Sequence, residues 1–128
     1  MMKKLFSVWC VMIFSLLAVQ GFADYSKEQV ANVMQANAVN MGALKKATDN
    51  NDFFMAAETL MDIAKAMKSL ETMTPPKGSK EEWDKNHQML INMALKGIGA
   101  CGDQDSDKLN EYIGEINKLI KEGHGMFK

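Results

Sequence analysis

Arginine is missing from all 128 residues, so the 15 basic side chains are lysines. No guanidinium fork is available to grip phosphates or base edges, and the balance of charge is mildly acidic. The chain therefore has no electrostatic footprint for nucleic acid. It also lacks the basic amphipathic face of a membrane-surface helix. Cysteine is scarce, with only Cys10 and Cys101 present. Cys10 falls in a stretch expected to be removed, and Cys101 alone cannot close an internal disulfide. An unpaired cysteine is usually a small buried hydrophobe, which is the reading favoured for Cys101 over a thiol kept for a partner. Histidine occurs only at His87 and His124. Neither has another His or Cys at ligand spacing, which argues against a dedicated zinc or copper site.

Catalytic motifs are missing too. There is no nucleophile elbow, phosphate loop or Ser–His–acid pattern, and none of the E-x-x-H pairs of di-iron bundles. Glu58 with Asp62, and Glu111 with Glu115, sit one helical turn apart and read as solvated faces. The chain is not expected to be an enzyme. No segment alternates with period two over a useful length, so no sheet is expected.

The single long uncharged run is Leu5 to Val19, preceded by the basic Met1-Met2-Lys3-Lys4. Gln20-Gly21-Phe22-Ala23 places small residues before Asp24. Residues 1–23 thus read as a cleavable signal peptide, too short for a comfortable membrane span. The reading leaves no stable membrane anchor after cleavage; its alternative is an N-terminal anchor helix. Removing it takes away Lys3 and Lys4 and no acid. Thirteen lysines then face sixteen acids, a net charge of −3 over residues 24–128. That length suits one domain with one core.

What is present is helix signal. Ser26-Lys27-Glu28-Gln29 reads as a capping box. Behind it runs the stripe Val30, Val33, Met34, Asn37, Met41, Leu44, an apolar seam with one polar interruption. Asp49-Asn50-Asn51-Asp52 ends that helix and caps the next. The second stripe is Phe53, Ala57, Leu60, Met61, Ala64, Met67, and Pro75-Pro76 cannot continue it. Ser79-Lys80-Glu81-Glu82 is a second capping box, opening a helix that carries Trp83, His87, Leu90, Ile91, Ala94, Leu95 and Ile98. His87, with Trp83 and Ile91 a turn away on either side, reads as a partly buried helix residue. After the acidic turn 103–107 comes the last stripe: Leu109, Tyr112, Ile113, Ile116, Leu119, Ile120, Gly123, Phe127. Short connections favour antiparallel neighbours, so the predicted fold is all-α, an up-down-up-down four-helix bundle packed at roughly 20°. Nine methionines fall in residues 24–128. Most are expected in the core, as gap fillers. A thioether copper(I) site would need them clustered, and the sequence scatters them over all four helices.

The two ends of this bundle carry a family resemblance. The chain closes on Ile120-Lys121-Glu122-Gly123-His124-Gly125-Met126-Phe127-Lys128. This is similar to the end of the class II cytochromes c, the cytochrome c′ group, where C-x-x-C-H is followed closely by F-[RK]. The histidine and the Phe-Lys ending match, while Ile120 and Gly123 stand where the two haem-attaching cysteines belong. In the first helix, Met34 through Met41-Gly42-Ala43-Leu44 resembles the family segment in which a Met one heptad before M-G-A-L can ligate iron. Val30 stands where an arginine near the haem propionates is often found. Trp83 resembles a tryptophan that often opens the third helix, and Gly102-Asp103 the turn into the last.

The resemblance covers essentially all of 24–128. It implies a periplasmic haem protein in which His124 is the proximal iron ligand and Met34 the second. Met41, Trp83, Ile120, Gly123 and Phe127 would complete the haem site. Without the cysteines the haem would be held non-covalently. That is how the soluble periplasmic b-type bundle cytochrome holds its own, between a Met early in helix one and a His late in helix four. Met/His ligation raises the haem potential and suits electron transfer with a redox partner; an open sixth position would favour diatomic gas binding. The family also implies a homodimer through the first two helices. The competing expectation is a haem-less relic acting as a periplasmic binding or protein-interaction module. On the residues alone, the favoured reading of His124 is a helix-ending histidine interacting with the last carbonyls, over an iron ligand given room by Gly123 and Gly125, and those glycines are equally well explained as helix-ending residues.

Overall fold

The computed structural model describes residues 26–127. The leader 1–23 and Cys10 lie outside the described residues, as does Lys128. Four α-helices follow one another: α1 Lys27–Asp49, α2 Phe53–Lys68, α3 Lys80–Gly102 and α4 Ser106–Phe127. Among the described residues there is no strand. None of these helices is long and apolar enough to cross a membrane.

The caps that mark the helix starts act as such. Ser26, Asp52 and Ser79 each accept a hydrogen bond from the backbone N–H three residues on, at Gln29, Met55 and Glu82. Each satisfies one of the donors that a helix start leaves without a partner. The tight turns between helices need left-handed backbone at Asn51 and Gln104, both with φ 54°. Asn tolerates that region because its short amide can bond locally.

Packing runs α1 on α2, α2 on α3 and α3 on α4, the order of an up-down-up-down four-helix bundle. At one end, the Ser106 hydroxyl donates to the Asn51 amide oxygen at 3.4 Å, linking the α1–α2 turn to the start of α4. At the other, the Phe127 ring closes on Gly78 in the α2–α3 connection. A Cβ at Gly78 would stand 3.2 Å from that ring, and its φ of 83° already calls for glycine. The core runs through Leu44, Leu60, Ile63, Leu90, Leu109 and Ile116, all essentially without exposure. Gly97 lets α3 approach α2, since a Cβ there would meet Leu60 at 2.8 Å.

In the helix stripes and the core methionines the structure departs from the sequence reading in three places. In α2 the buried face is Ala56, Thr59, Leu60, Ile63, Ala64 and Met67, while Met61 is exposed. That helix is apolar on several sides, so two stripes fit the sequence, and packing between α1 and α3 selects the one centred on Leu60 and Ile63. In α3, Leu95 is exposed and Asn86 buried, because a side-chain hydrogen bond lets Asn86 face inward. Finally, the core does not bury most of the methionines. Among the described residues only Met67 and Met73 of the methionines are buried, and Met55, Met61 and Met89 are exposed.

Candidate functional site

The helix pairs do not close evenly. α1 packs on α2 and has almost no close backbone contact with α4. It is also the least buried helix: nothing before Asn37 is buried, and Val30, Val33 and Met34 are only half-covered. Beneath that loose seam lies a slot. Val30 and Met34 line it from α1, and Met67 from α2. Trp83, Asn86, His87 and Leu90 line it from α3; Ile120, Gly123, His124 and Phe127 from α4.

Its floor is an aromatic group. Trp83 is buried and its indole N–H donates to the Leu70 carbonyl at 3.0 Å, which fixes the ring. His87 packs against it edge to face with centroids 4.2 Å apart. The Phe127 ring lies 6.5 Å from His87, tilted by 53°. Edge-to-face pairs of this kind add about 1 kcal/mol beyond the area they bury.

His87 is the unexpected member. The sequence placed it partly buried; it is 1% exposed, and its Nδ1 is enclosed without a hydrogen-bond partner. Burial lowers its pKa to about 4, outweighing the pull of Asp84 and Glu71 in the other direction; Lys80 adds to the lowering. The ring is therefore neutral near pH 7, with a nitrogen lone pair free to accept or ligate. A buried nitrogen with no partner is costly, by about 1–3 kcal/mol.

Of the residues the sequence singled out, Met34, Trp83, Ile120, Gly123, His124 and Phe127 all line the slot. Met34 is half-buried, and His124 is exposed at the rim. Met41 is not in the slot; it sits two turns further along α1, half-buried against the core. Gly123 has a packing role of its own. A Cβ there would stand 3.1 Å from the Asn86 amide oxygen. The Asn86 amide in turn donates to the Leu119 carbonyl at 3.1 Å, stitching α3 to α4. Met67 and His87 were not assigned to the site from sequence. Only the heptad run Trp83, His87, Leu90, Ala94 could have placed His87 on the inner face. Met67 is held by Asn37, whose amide donates to its sulfur at 3.1 Å while its own Oδ1 is buried without a partner. Asn37 is thus the polar interruption of the first stripe, turned inward.

The donor set suits haem iron: an imidazole on α4, a thioether on α1 and a second imidazole on α3. The room is tighter. The cavity is about 60 Å³. That holds a few waters, against roughly 300–1,000 Å³ for sites of drug-sized ligands. A macrocycle fits there only if α1 and α4 part at their seam. Elsewhere, Cys101 is free and buried, and burial pushes its thiol pKa up, as befits an inert packing residue. Among the described residues, no three His, Cys, Asp or Glu side chains converge. Compared with known proteins, the chain matches no family model, no curated protein and no solved structure.

Proposed function

We propose that this chain is an exported four-helix haem protein that holds its haem without a covalent tether, with His124 and Met34 as the residues that would hold its iron. One observation carries the reading. Met34 near the start of α1 and His124 near the end of α4 line one slot, beneath the seam where those two helices barely meet. Bound there, haem would supply a one-electron couple for relay to a redox partner. Ile120 and Gly123 line the same slot and offer it no thiol. Trp83 and Phe127 form an apolar floor that excludes water. Val30, itself half-buried, lines the slot beside Met34. Seating the group requires α1 to move away from α4, and α1 has the least packing to lose.

Haemin titration of residues 24–128 tests this. A saturable Soret band is expected, with one equivalent bound, and His124→Ala should abolish it. A denaturing gel stained for haem should be blank. No Soret band at micromolar protein overturns the reading.

A second reading has its own support. The contact of Trp83 with His87 and Phe127 already fills much of the slot, and the space left is small. A bundle without haem that takes a small apolar ligand, or works as a protein-interaction module, fits that filling. Absence of haem binding together with saturable binding of a small aromatic probe would favour it.

A further inference from the structure

The sequence scatters methionine over every helix, but the fold gathers donors. Both histidines of residues 24–128 and two of the methionines line one cavity: Met34, Met67, His87 and His124. The set joins thioether sulfur to imidazole nitrogen, with no carboxylate among the lining residues. Such a set selects a soft, low-charge metal ion over magnesium or calcium, which demand oxygen. We propose that this cavity is a copper(I) site, with His87 and Met67 as its deep ligands and Met34 and His124 closing it from the rim.

Three further observations carry this. His87 is almost wholly enclosed, and its Nδ1 lacks any hydrogen-bond partner. A metal ion is one of the few occupants that would satisfy a buried nitrogen without a hydrogen-bond partner in an apolar surround. Second, the Met67 sulfur is not free to swing. The Asn37 amide holds it at 3.1 Å, the outer-layer support that ligating groups commonly receive, and leaves its remaining lone pair available. Third, the space is right. A cavity of about 60 Å³ suits one ion whose coordination shell is the protein itself.

This goes beyond the haem reading and does not depend on it, since it concerns the protein free of iron. The two groups would compete for Met34 and His124.

The test is a copper(I) titration of residues 24–128 under anaerobic, reducing conditions against a chromogenic copper(I) chelator. Silver(I) serves as a redox-silent probe in parallel. One equivalent per chain should be withheld from the chelator. His87→Phe and Met67→Leu, both close in shape to the originals, should each weaken retention at least tenfold with the helical circular dichroism unchanged. X-ray absorption should report both sulfur and nitrogen neighbours. Retention that is unchanged in both variants overturns the site, as does copper released stoichiometrically to the chelator by the wild-type chain. If either variant loses its helicity, the X-ray absorption of the wild-type complex decides, and an absence of sulfur neighbours overturns the site. Haemin binding measured separately stands or falls on its own. Copper retained without haemin binding removes only the haem reading, and the converse removes only this one.

Discussion

The rings of Trp83 and Phe127 meet edge to face, with centroids 5.1 Å apart and planes at 75°. The contact ties the first turn of α3 to the last turn of α4 and closes the floor of the slot. It lies at the end of the bundle where α1 begins and α4 stops.

Truncating Phe127 should therefore open the slot from below. Phe→Ala in a core costs about 3–5 kcal/mol, and a site near a chain end relaxes toward the lower figure. Trp83 is the only tryptophan of residues 24–128, so it reports on the change directly. Phe127→Ala should lower the urea midpoint and shift Trp83 emission to the red. An unmoved emission maximum would show that the indole does not rely on Phe127 for its cover.

His87 should make the metal-free protein acid-sensitive. Its folded pKa is lowered to about 4 from an ordinary 6.5. Above 6.5 neither state holds the proton, and stability is at its full value. As pH falls below 6.5 the unfolded chain takes up the proton first, so stability declines until the folded state also protonates near pH 4. The loss over that window approaches about 3 kcal/mol. Urea midpoints measured from pH 7 to 4 should show the decline, and His87→Phe should flatten it. Asp84, Glu71 and Lys80 are the charges that act on this ring, so the flattening should persist when Asp84 is replaced by Asn.

At Gly123 two effects oppose. Alanine favours helix over glycine by about 1 kcal/mol. Here the new Cβ would sit 3.1 Å from the Asn86 amide and strain its bond to the Leu119 carbonyl. Gly123→Ala should therefore be neutral or destabilising in the native background and stabilising in Asn86→Ala. Gly125, with nothing within 4 Å of its Cβ direction, should gain from Gly125→Ala in either. A thermodynamic cycle on these variants checks the coupling; additivity would refute it.

Gly97 should tolerate no side chain. Its Cβ direction meets Leu60 at 2.8 Å, deep in the α2–α3 contact. Overpacking of this kind costs about 1–3 kcal/mol. Gly42→Ala, in open space on α1, is the matched control and should stabilise. Thermal melts of the two variants should move in opposite directions.

The helix starts were legible because Ser26, Asp52 and Ser79 are local signals, read within four residues. The last helix was legible because its apolar stripe is clean and its other faces polar. α2 was not, since Ala57 and Met61 compete with Ala56 and Ile63 for the inner face, and only neighbouring helices decide. His87 was hidden by its chemistry: composition ranks histidine as intermediate, and nothing local reveals that the ring would be enclosed without a partner. Met67 and Asn37 come together across two helices, a pairing that no spacing along one helix can announce. The link between Met34 and His124 was read from a resemblance at the two chain ends, and the fold brings both to the same slot.

The sparse packing of α1 has a kinetic consequence. Local opening costs least where few apolar contacts are lost, so amide protons in the first turns of α1 should exchange with solvent well ahead of those in α2 and α3. An occupant of the slot touches α1 through Val30 and Met34, and its binding free energy would then be felt there first. Amide exchange slowed selectively over residues 28–36 would register capture of an occupant at the cavity whatever its colour, charge or redox state.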